Sequence, residues 1–478
     1  MSQSPVTPVA PSTSSACPPA PDVSVRLDLR PLAEAGTARL AGWAVWHAGA
    51  LGGSGLSLGS QVQVQSVTWW PRPPAEGRRR GLHGRPGPAD VSCPLVQPLA
   101  LSEDEGRPLP WSITEEDGER RLSLQWPQAS RHGFVGIRYE AVPDGSLAWD
   151  AARQWVHTAW SCESWVPCIT TPGLRQRWQL SLVLPQGWQS VQTPGEMPAS
   201  PWQPEPLGRT LGVPGYLMGF AAGPMQVVRQ QTAEGAWLAV APADTPLAEL
   251  EGVAERWSSW VQRLSVRAGM PWPHASFTGV HMPGYAGQEL NAMMMLSRKD
   301  ARQLAAGTSA PWMTIHELAH QWWGNGVTNA TWQDMWLNEG LATYMTQDAI
   351  RQAWGDEQAD IHLGQSLTRW QALVASGRDR PLHFDQWRHP SREDRQVVYD
   401  KGAWFFETLR ALMGDEAFHQ GLRDHTRRHW GRSVTPQDLQ QVMQRHTQVP
   451  LQPMFDAWVW GRAAAPIPPE RLPPRAKP

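Results

Sequence analysis

The stretch from Trp312 to Tyr344, WMTIHELAHQWWGNGVTNATWQDMWLNEGLATY, contains two histidines and two glutamates at spacings typical of a metal site. His316 and His320 stand four residues apart, and Glu317 follows the first histidine directly. In a helix, positions four apart lie on one face, so both imidazoles can bind a single zinc ion with the glutamate beside its water. For these five residues alone, the alternative is a solvated helix face with its charged side chains outward.

A third candidate ligand, Glu339, favours the metal site. Eighteen residues separate it from His320, and four of them favour turns: Gly324, Asn325, Gly326 and Asn329. The segment WLNEGLATYMTQDAI is therefore predicted to form a second helix that returns to the first. Because His, His and Glu leave one zinc position open for water, we expect one catalytic zinc per chain. We also expect a dry wall of four flanking tryptophans, Trp322, Trp323, Trp332 and Trp336.

Composition excludes several other classes of function. The 42 basic and 44 acidic residues give a net charge of −2, so no overall field favours nucleic acid or an anionic membrane. Neither a membrane span nor a secretory signal is recognisable, which predicts a cytoplasmic protein. The four cysteines, Cys17, Cys93, Cys162 and Cys168, are few and irregularly spaced, so we expect no disulfide framework and a reducing compartment.

The order of strand and helix patterns predicts a multidomain α+β protein. Residues 1–21 and 464–478 are rich in proline and are expected to be disordered tails. Residues 22–205 contain alternating runs such as QVQVQSVTWW and FVGIRYEAV, which are typical of an all-β domain. After a proline-rich boundary, residues 206–463 become mostly helical, with Thr435 predicted to cap a helix that begins at Pro436.

The segments TIHELAHQWWGN and WLNEGLATY resemble the gluzincin aminopeptidases, the family of aminopeptidase N and leukotriene hydrolase. The resemblance implies an amino-terminal β saddle or sandwich, followed by a thermolysin-like, mostly helical zinc domain. It also implies that His316, His320 and Glu339 bind zinc and that Glu317 is the catalytic base. The segment VVYDKGAWFFETLR is similar to the one that carries the family's catalytic tyrosine, and this role falls on Tyr399.

The substrate-binding segment departs from the family pattern. The family's Gly-x-Met-Glu-Asn motif binds the free α-amino group, and its counterpart here is YAGQELNAMMM. Glu289 fills the glutamate position, although an ordinary loop carboxylate is the alternative. Tyr285 matches a position that lines the pocket for the first side chain. Asp334 and Asn338 are either supports for the ligands or exposed helix residues. The Arg-rich signature before Pro-Cys is absent, with Glu163 and Ser164 in its place.

The resemblance implies a zinc metallopeptidase acting on peptides, most simply as an aminopeptidase. The alternatives are an endopeptidase, a hydrolase of another bond such as an epoxide, and an inactive interaction module. The last is disfavoured because all three ligands, the base and the tyrosine are present. Since the sequence ends on a segment similar to the close of the family's catalytic domain, we expect no large carboxy-terminal helical domain and more open substrate access. The oligomeric state stays open.

Overall fold

The computed structural model describes residues 21–34, 38–51, 55–71, 101–116, 118–126, 133–158, 161–199, 210–284, 287–307, 309–385, 387 and 390–461. The tails predicted at 1–21 and 464–478 fall outside these ranges, apart from Pro21. A β-rich part comes first and a mostly helical part follows, which confirms the predicted order of the two kinds of structure.

The β-rich part builds several small sheets. Its described strands are β1 (Val23–Asp28), β2 (Leu40–His47), β3 (Leu56–Leu58), β4 (Val62–Trp70), β5 (Arg107–Pro108), β6 (Trp111–Glu116), β7 (Glu119–Leu124), β8 (Phe134–Ala141), β9 (Leu147–Asp150), β10 (Trp155–Thr158), β11 (Trp178–Val183), β12 (Gln189–Gln192), β13 (Glu196–Pro198), β14 (Thr210–Gly212) and β15 (Phe220–Gly223). The largest sheet has the order β11-β1-β2-β8-β4-β5, with β1 and β11 parallel and the other pairs antiparallel. In β1 the alternation predicted from the sequence places Val23, Val25 and Leu27 in the core.

Two strands beyond residue 205 pair with strands that precede it. β14 is antiparallel to β13, and β15 lies between β10 and β12 in a four-stranded sheet. A short 3-10 helix, Gly215–Leu217, connects β14 to β15 and carries the buried Tyr216. The β-rich part therefore continues past the proline-rich segment and contributes directly to the surroundings of the later helices.

The helical part contains a mixed sheet. Its described strands are β16 (Met225–Gln231), β17 (Ala236–Pro242), β18 (Ser276–Met282), β19 (Gly287–Leu290), β20 (Met293–Ser297), β21 (Val327–Asn329) and β22 (Arg432–Val434). The first five form one sheet in the order β16-β17-β18-β20-β19, and the central pairs β17–β18 and β18–β20 are parallel. The edge strand β19 runs antiparallel to β20, with Glu289 opposite Met294. All four of its residues are buried, because a helix covers this edge.

The described helices are α1 (Val253–Ala268), α2 (Arg298–Ala306), α3 (Trp312–Ala319), α4 (Glu339–Trp354), α5 (Asp356–Ala375), α6 (Arg392–Gln396), α7 (Gly402–Met413), α8 (Asp415–His429), α9 (Pro436–Gln444) and α10 (Gln452–Phe455). The predicted cap at Thr435 is confirmed: its side chain accepts a hydrogen bond from the amide of Asp438, whose carboxylate bonds back to Thr435. Among the helices in these ranges, none combines the length and apolar character that crossing a bilayer requires.

The sequence predicted no disulfide framework, but two of the four cysteines do pair with each other. Cys162 and Cys168 form a buried disulfide with their Cα atoms 6.2 Å apart, because the 3-10 turn Cys162–Ser164 folds the chain back on itself. The total number of cysteines does not indicate whether two of them form one local disulfide. The count therefore lends no support to a reducing compartment. Cys17 and Cys93 lie outside the described residues.

Candidate active site

The HExxH sequence lies on α3 and at its carboxyl end. His316 and Glu317 are in the helix, and His320 follows with helical backbone angles (φ −58°, ψ −23°), so the four-residue spacing keeps both imidazoles on one face. All three side chains are at most 3% exposed. Their neighbours Ile315 and Leu318 are also fully buried, so this short helix is enclosed on every side rather than solvated. The alternative of a solvated helix face is wrong.

Helix α4 brings Glu339 to the two histidines. Its Oε2 atom lies 3.1 Å from His316 Nε2 and 3.2 Å from His320 Nε2, and the two ring nitrogens are 3.0 Å apart. The predicted second helix begins at Glu339 itself, after the 3-10 helix Trp332–Leu337. Three candidate ligand atoms therefore converge on one point.

The chemistry of this group fits zinc. Ligands bound tetrahedrally at 2.0–2.1 Å lie about 3.3 Å from one another, close to the spacing found here. His320 Nδ1 donates a hydrogen bond to the carbonyl oxygen of Trp323 at 3.1 Å, which leaves the lone pair of Nε2 directed at the group. The ring of His316 is held by stacking on Trp312, with centroids 4.8 Å apart. Two imidazoles and a carboxylate so arranged are a cation site.

The electrostatics of the site also demand positive charge. Burial raises the pKa of Glu317 well above its usual range and that of Glu289 to about 7. Burial lowers the pKa of His320, but the charges on Glu289 and Glu339 outweigh this effect and raise it to about 10. Three buried carboxylates around one point are costly unless a cation neutralises them.

Glu317 keeps one carboxylate oxygen unpaired. Its Oε2 atom has no hydrogen-bond partner among the described residues, although the side chain is only 2% exposed. Strand β19 approaches α3 so closely that a Cβ on Gly287 would lie 2.9 Å from Glu317 Oε1 and 2.4 Å from Met313 Sδ. A side chain at position 287 would therefore collide with the Glu317 carboxylate, and glycine avoids this. The unpaired oxygen of Glu317 is available to accept a proton.

Tyr399 lies against the ligand His316. It occupies a π-helical turn, Val397–Lys401, between α6 and α7, and its ring stacks on His316 with centroids 5.8 Å apart. Helices α4 and α7 meet backbone to backbone, since a Cβ on Gly340 would lie 2.9 Å from the Cα of Gly402. This contact places Tyr399 beside Glu339. Burial raises the pKa of Tyr399 well above its usual value and the negative charge of Glu339 adds to the rise, so the hydroxyl stays protonated and can donate.

The edge strand β19 brings Glu289 to the same centre. Its carboxylate is 7% exposed and forms a compact group with Glu317 and His320, whose ligand atoms all lie within 4.8 Å of one another. Asn338, directly before the ligand Glu339, lies close enough to this carboxylate to lower its pKa, against the larger opposing effect of burial. The alternative of an ordinary loop carboxylate is therefore wrong. Tyr285 lies outside the described residues.

Residues 282–458 match the peptidase family M1 domain. The matched range contains the three candidate ligands together with Glu289, Glu317 and Tyr399. Residues 282–458 therefore carry an M1 peptidase domain. The resemblance to the gluzincin aminopeptidases is confirmed, and zinc is the metal indicated by both the M1 family and the ligand set.

Curated M1 relatives are similar over part of their length. Aminopeptidase RNPEPL1 of Mus musculus is 26% identical over 382 residues, which cover 75% of this chain and 50% of the relative. Aminopeptidase B of Homo sapiens is 25% identical over 289 residues, covering 57% of this chain and 42% of the relative. The chain therefore spans about half the length of the curated relatives it matches.

Solved structures of two hydrolases share the fold. The M1 zinc metallopeptidase of Deinococcus radiodurans has a TM-score of 0.63 and 19% identity, with 95% of each chain covered. Native yeast LTA4 hydrolase has a TM-score of 0.68 and 16% identity, covering 94% of this chain and 69% of the other. At these identities the likeness concerns the architecture alone.

Two cavities meet at the M1 centre. One, of 410 Å³, is lined by Tyr216, Glu289 and Glu339 and extends into the β-rich part as far as Glu163; we call it the β-side cavity. The other, of 750 Å³, is lined by His316, Glu317 and residues of α4, α5 and α6; we call it the helical cavity. Tyr399 and Arg395 line both cavities. The ligand cluster therefore lies where a substrate passing from one cavity to the other would cross.

Tyr216 is a site residue that the sequence did not reveal. Its hydroxyl lies 3.3 Å from Asn338 Nδ2, and its ring packs on Trp332 with centroids 5.4 Å apart. It comes from the β-rich part, 123 positions before Glu339, and no motif marks it. Of the two supports considered, Asn338 contacts the site. Asp334 instead accepts hydrogen bonds from His383 and Thr331, which fixes the loop before α4.

Proposed function

We propose that this chain is a zinc-dependent aminopeptidase that removes amino-terminal residues from peptides. The observation that carries the proposal is the position of Glu289, whose buried carboxylate lies beside the ligands and faces the β-side cavity. A carboxylate there pairs with a protonated amino terminus and places the first peptide bond over the cluster. The identity of the M1 relatives supports the same activity.

We further infer two domains, a saddle-like β domain over residues 22–205 and a thermolysin-like catalytic domain over 206–463. Strands β14 and β15 then cross from the second domain to pair with the first. This crossing supports a shared site, because the short helix with Tyr216 reaches Asn338 from between those two strands.

In the proposed reaction, His316, His320 and Glu339 hold the metal, and each remaining residue has one task. Zinc bound there supplies a Lewis acid that acidifies water and polarises the substrate carbonyl. Glu317 accepts a proton from the attacking water through its unpaired oxygen and passes it to the departing amine. The Tyr399 hydroxyl donates a hydrogen bond to the carbonyl oxygen as negative charge develops there. Glu289 holds the α-ammonium group throughout.

Replacing Glu289 by Gln tests the amine anchor. We expect kcat/KM for aminoacyl-coumarin amides with a free amine to fall about 100-fold, since a buried charge-assisted pair is lost. Hydrolysis of the matched N-acetylated amides should stay at its low wild-type level. Glu255→Gln, on the exposed face of α1, is the control and should change neither rate. An equal loss on free and acetylated substrates would end the anchor hypothesis in favour of an endopeptidase.

Replacing Tyr399 by Phe removes the proposed hydrogen-bond donor. We expect kcat to fall by about 10²–10³ with little change in KM, because the bond to the carbonyl oxygen forms mainly as the transition state is reached. Tyr344→Phe is a matched control: Tyr344 is buried on α4 against Phe406 and Phe418, and its hydroxyl has no partner among the described residues. Wild-type turnover by the Tyr399 variant would remove this residue from the mechanism.

A further inference from the structure

One wall of the helical cavity carries a basic face. Arg392 and Arg395 lie on α6, which leads directly into the π-helical turn with Tyr399, and all three residues line the cavity. Both arginines are exposed. The guanidinium of Arg395 also packs over the ring of Trp387 at 5.9 Å, and this residue lines the β-side cavity next to Tyr399. Positive charge therefore begins close to the reacting centre and continues along the helix.

The acidic residues of α6 pair with arginines outside this helix. Glu393 pairs with Arg378, and Asp394 pairs with Arg380 at 2.6 Å. A third arginine of the cavity, Arg369, is already neutralised by both oxygens of Asp400, at 2.7 and 2.9 Å. Arg392, by contrast, makes no ion pair or hydrogen bond with any residue in the described ranges. The cavity thus offers a guanidinium that is available to an anion.

Buried polar groups on α4 point to a ligand in the same cavity. Gln347 is 1% exposed, yet neither its amide nitrogen nor its amide oxygen has a hydrogen-bond partner among the described residues. Thr343, one turn earlier, is 2% exposed and its hydroxyl is likewise unpartnered there. Both residues line the helical cavity. Unpaired amide and hydroxyl groups of this kind match the hydrogen-bonding groups of a peptide backbone.

The helix sets the reach of the arginines. At a rise of about 1.5 Å per residue, Arg395 and Arg392 lie about 6 Å and 10 Å along the axis from Tyr399. An extended peptide advances about 3.3–3.6 Å per residue. A carboxylate two or three residues beyond the bond that is cut therefore falls within reach of one or both guanidinium groups.

We propose that Arg392 and Arg395 form a carboxylate subsite in the helical cavity, which selects short peptides whose terminal carboxylate, or an acidic side chain, follows the scissile bond. The inference rests on the proposed function, because it assumes that the peptide crosses the ligand cluster from the β-side cavity. A carboxylate that forms two charge-assisted hydrogen bonds with a guanidinium would bind tightly and would fix the position of the peptide along the cavity.

The test compares three peptides that differ in one carboxylate: Ala-Ala-Ala, Ala-Ala-Ala-amide and Ala-Asp-Ala-amide. We expect kcat/KM of zinc-loaded wild type to be about tenfold higher for the free acid than for the simple amide. In Arg392→Gln/Arg395→Gln this ratio should fall towards one. Arg229→Gln/Arg445→Gln removes the same two positive charges from exposed positions outside the cavity and should preserve the ratio. A high rate for Ala-Asp-Ala-amide extends the subsite to an acidic side chain on the residue directly after the bond, and a low rate leaves it to carboxylates farther along the peptide.

Binding separates this inference from the proposed function. Calorimetry with zinc-loaded Glu317→Gln protein should show about tenfold tighter binding of the free acid than of the amide, with the preference lost when both arginines are also replaced. Such a preference without hydrolysis by wild type would uphold the subsite and refute the aminopeptidase. Hydrolysis with equal rates for acid and amide, or a ratio that survives in the double variant, would overturn the subsite alone.

Discussion

Glu317→Gln protein is expected to retain one zinc ion per chain and to lose about 10³-fold in kcat. The change is isosteric, so α3 and the two imidazoles that flank the residue should keep their positions. What disappears is the proton acceptor, and a positioned general base typically contributes 10²–10⁴-fold to the rate. The substitution replaces the buried carboxylate, whose Oε2 atom has no partner among the described residues, by an amide that cannot accept the proton.

The measurement combines metal analysis of the dialysed protein with single-turnover hydrolysis of alanyl-coumarin amide. Glu357→Gln, an exposed residue in the first turn of α5, is the control for loss of one negative charge. Turnover within tenfold of wild type at full zinc content would show that another group accepts the proton. Zinc loss in the variant would instead assign Glu317 to holding the metal.

The local part of the site was predictable, because its geometry follows from helix periodicity. His316 and His320 lie on one face by spacing alone, and the turn residues before Glu339 return the second helix to the first. The β alternation of segments such as QVQVQSVTWW and the cap at Thr435 were equally readable, since each depends on neighbours in sequence.

The parts that escaped prediction depend on contacts between distant segments. Tyr216 reaches Asn338 only because β14 and β15 pair back onto the β-rich part. The helical cavity requires residues of α4, α5 and α6 to line one space, which no pattern in α6 indicates. The disulfide between Cys162 and Cys168 depends on one tight turn, and a rule about overall cysteine number does not detect it.

Removing zinc with a chelator is expected to abolish hydrolysis and to lower the stability of the folded chain, both reversibly. A ligand that binds only the folded state stabilises it by about 4 kcal/mol when present at 1,000 times its Kd. The loss has a structural cause here. Without the cation, His320, whose pKa is raised to about 10, is left to neutralise Glu339 at 3.2 Å beside the buried carboxylates of Glu289 and Glu317.

Thermal unfolding with and without added zinc measures this effect, and His320→Ala provides the discriminating variant. Zinc should raise the Tm of wild-type protein by several degrees, given about 4 kcal/mol of binding linkage in a chain of 478 residues. It should not raise the Tm of His320→Ala, which keeps only two of the ligands. His446→Ala, a partly exposed histidine paired with Asp424 on another helix, should respond to zinc as wild type does. His320→Ala is the variant that lacks a ligand of this cluster. If zinc raised its Tm as much as that of wild type and His446→Ala, the stabilising zinc would bind elsewhere.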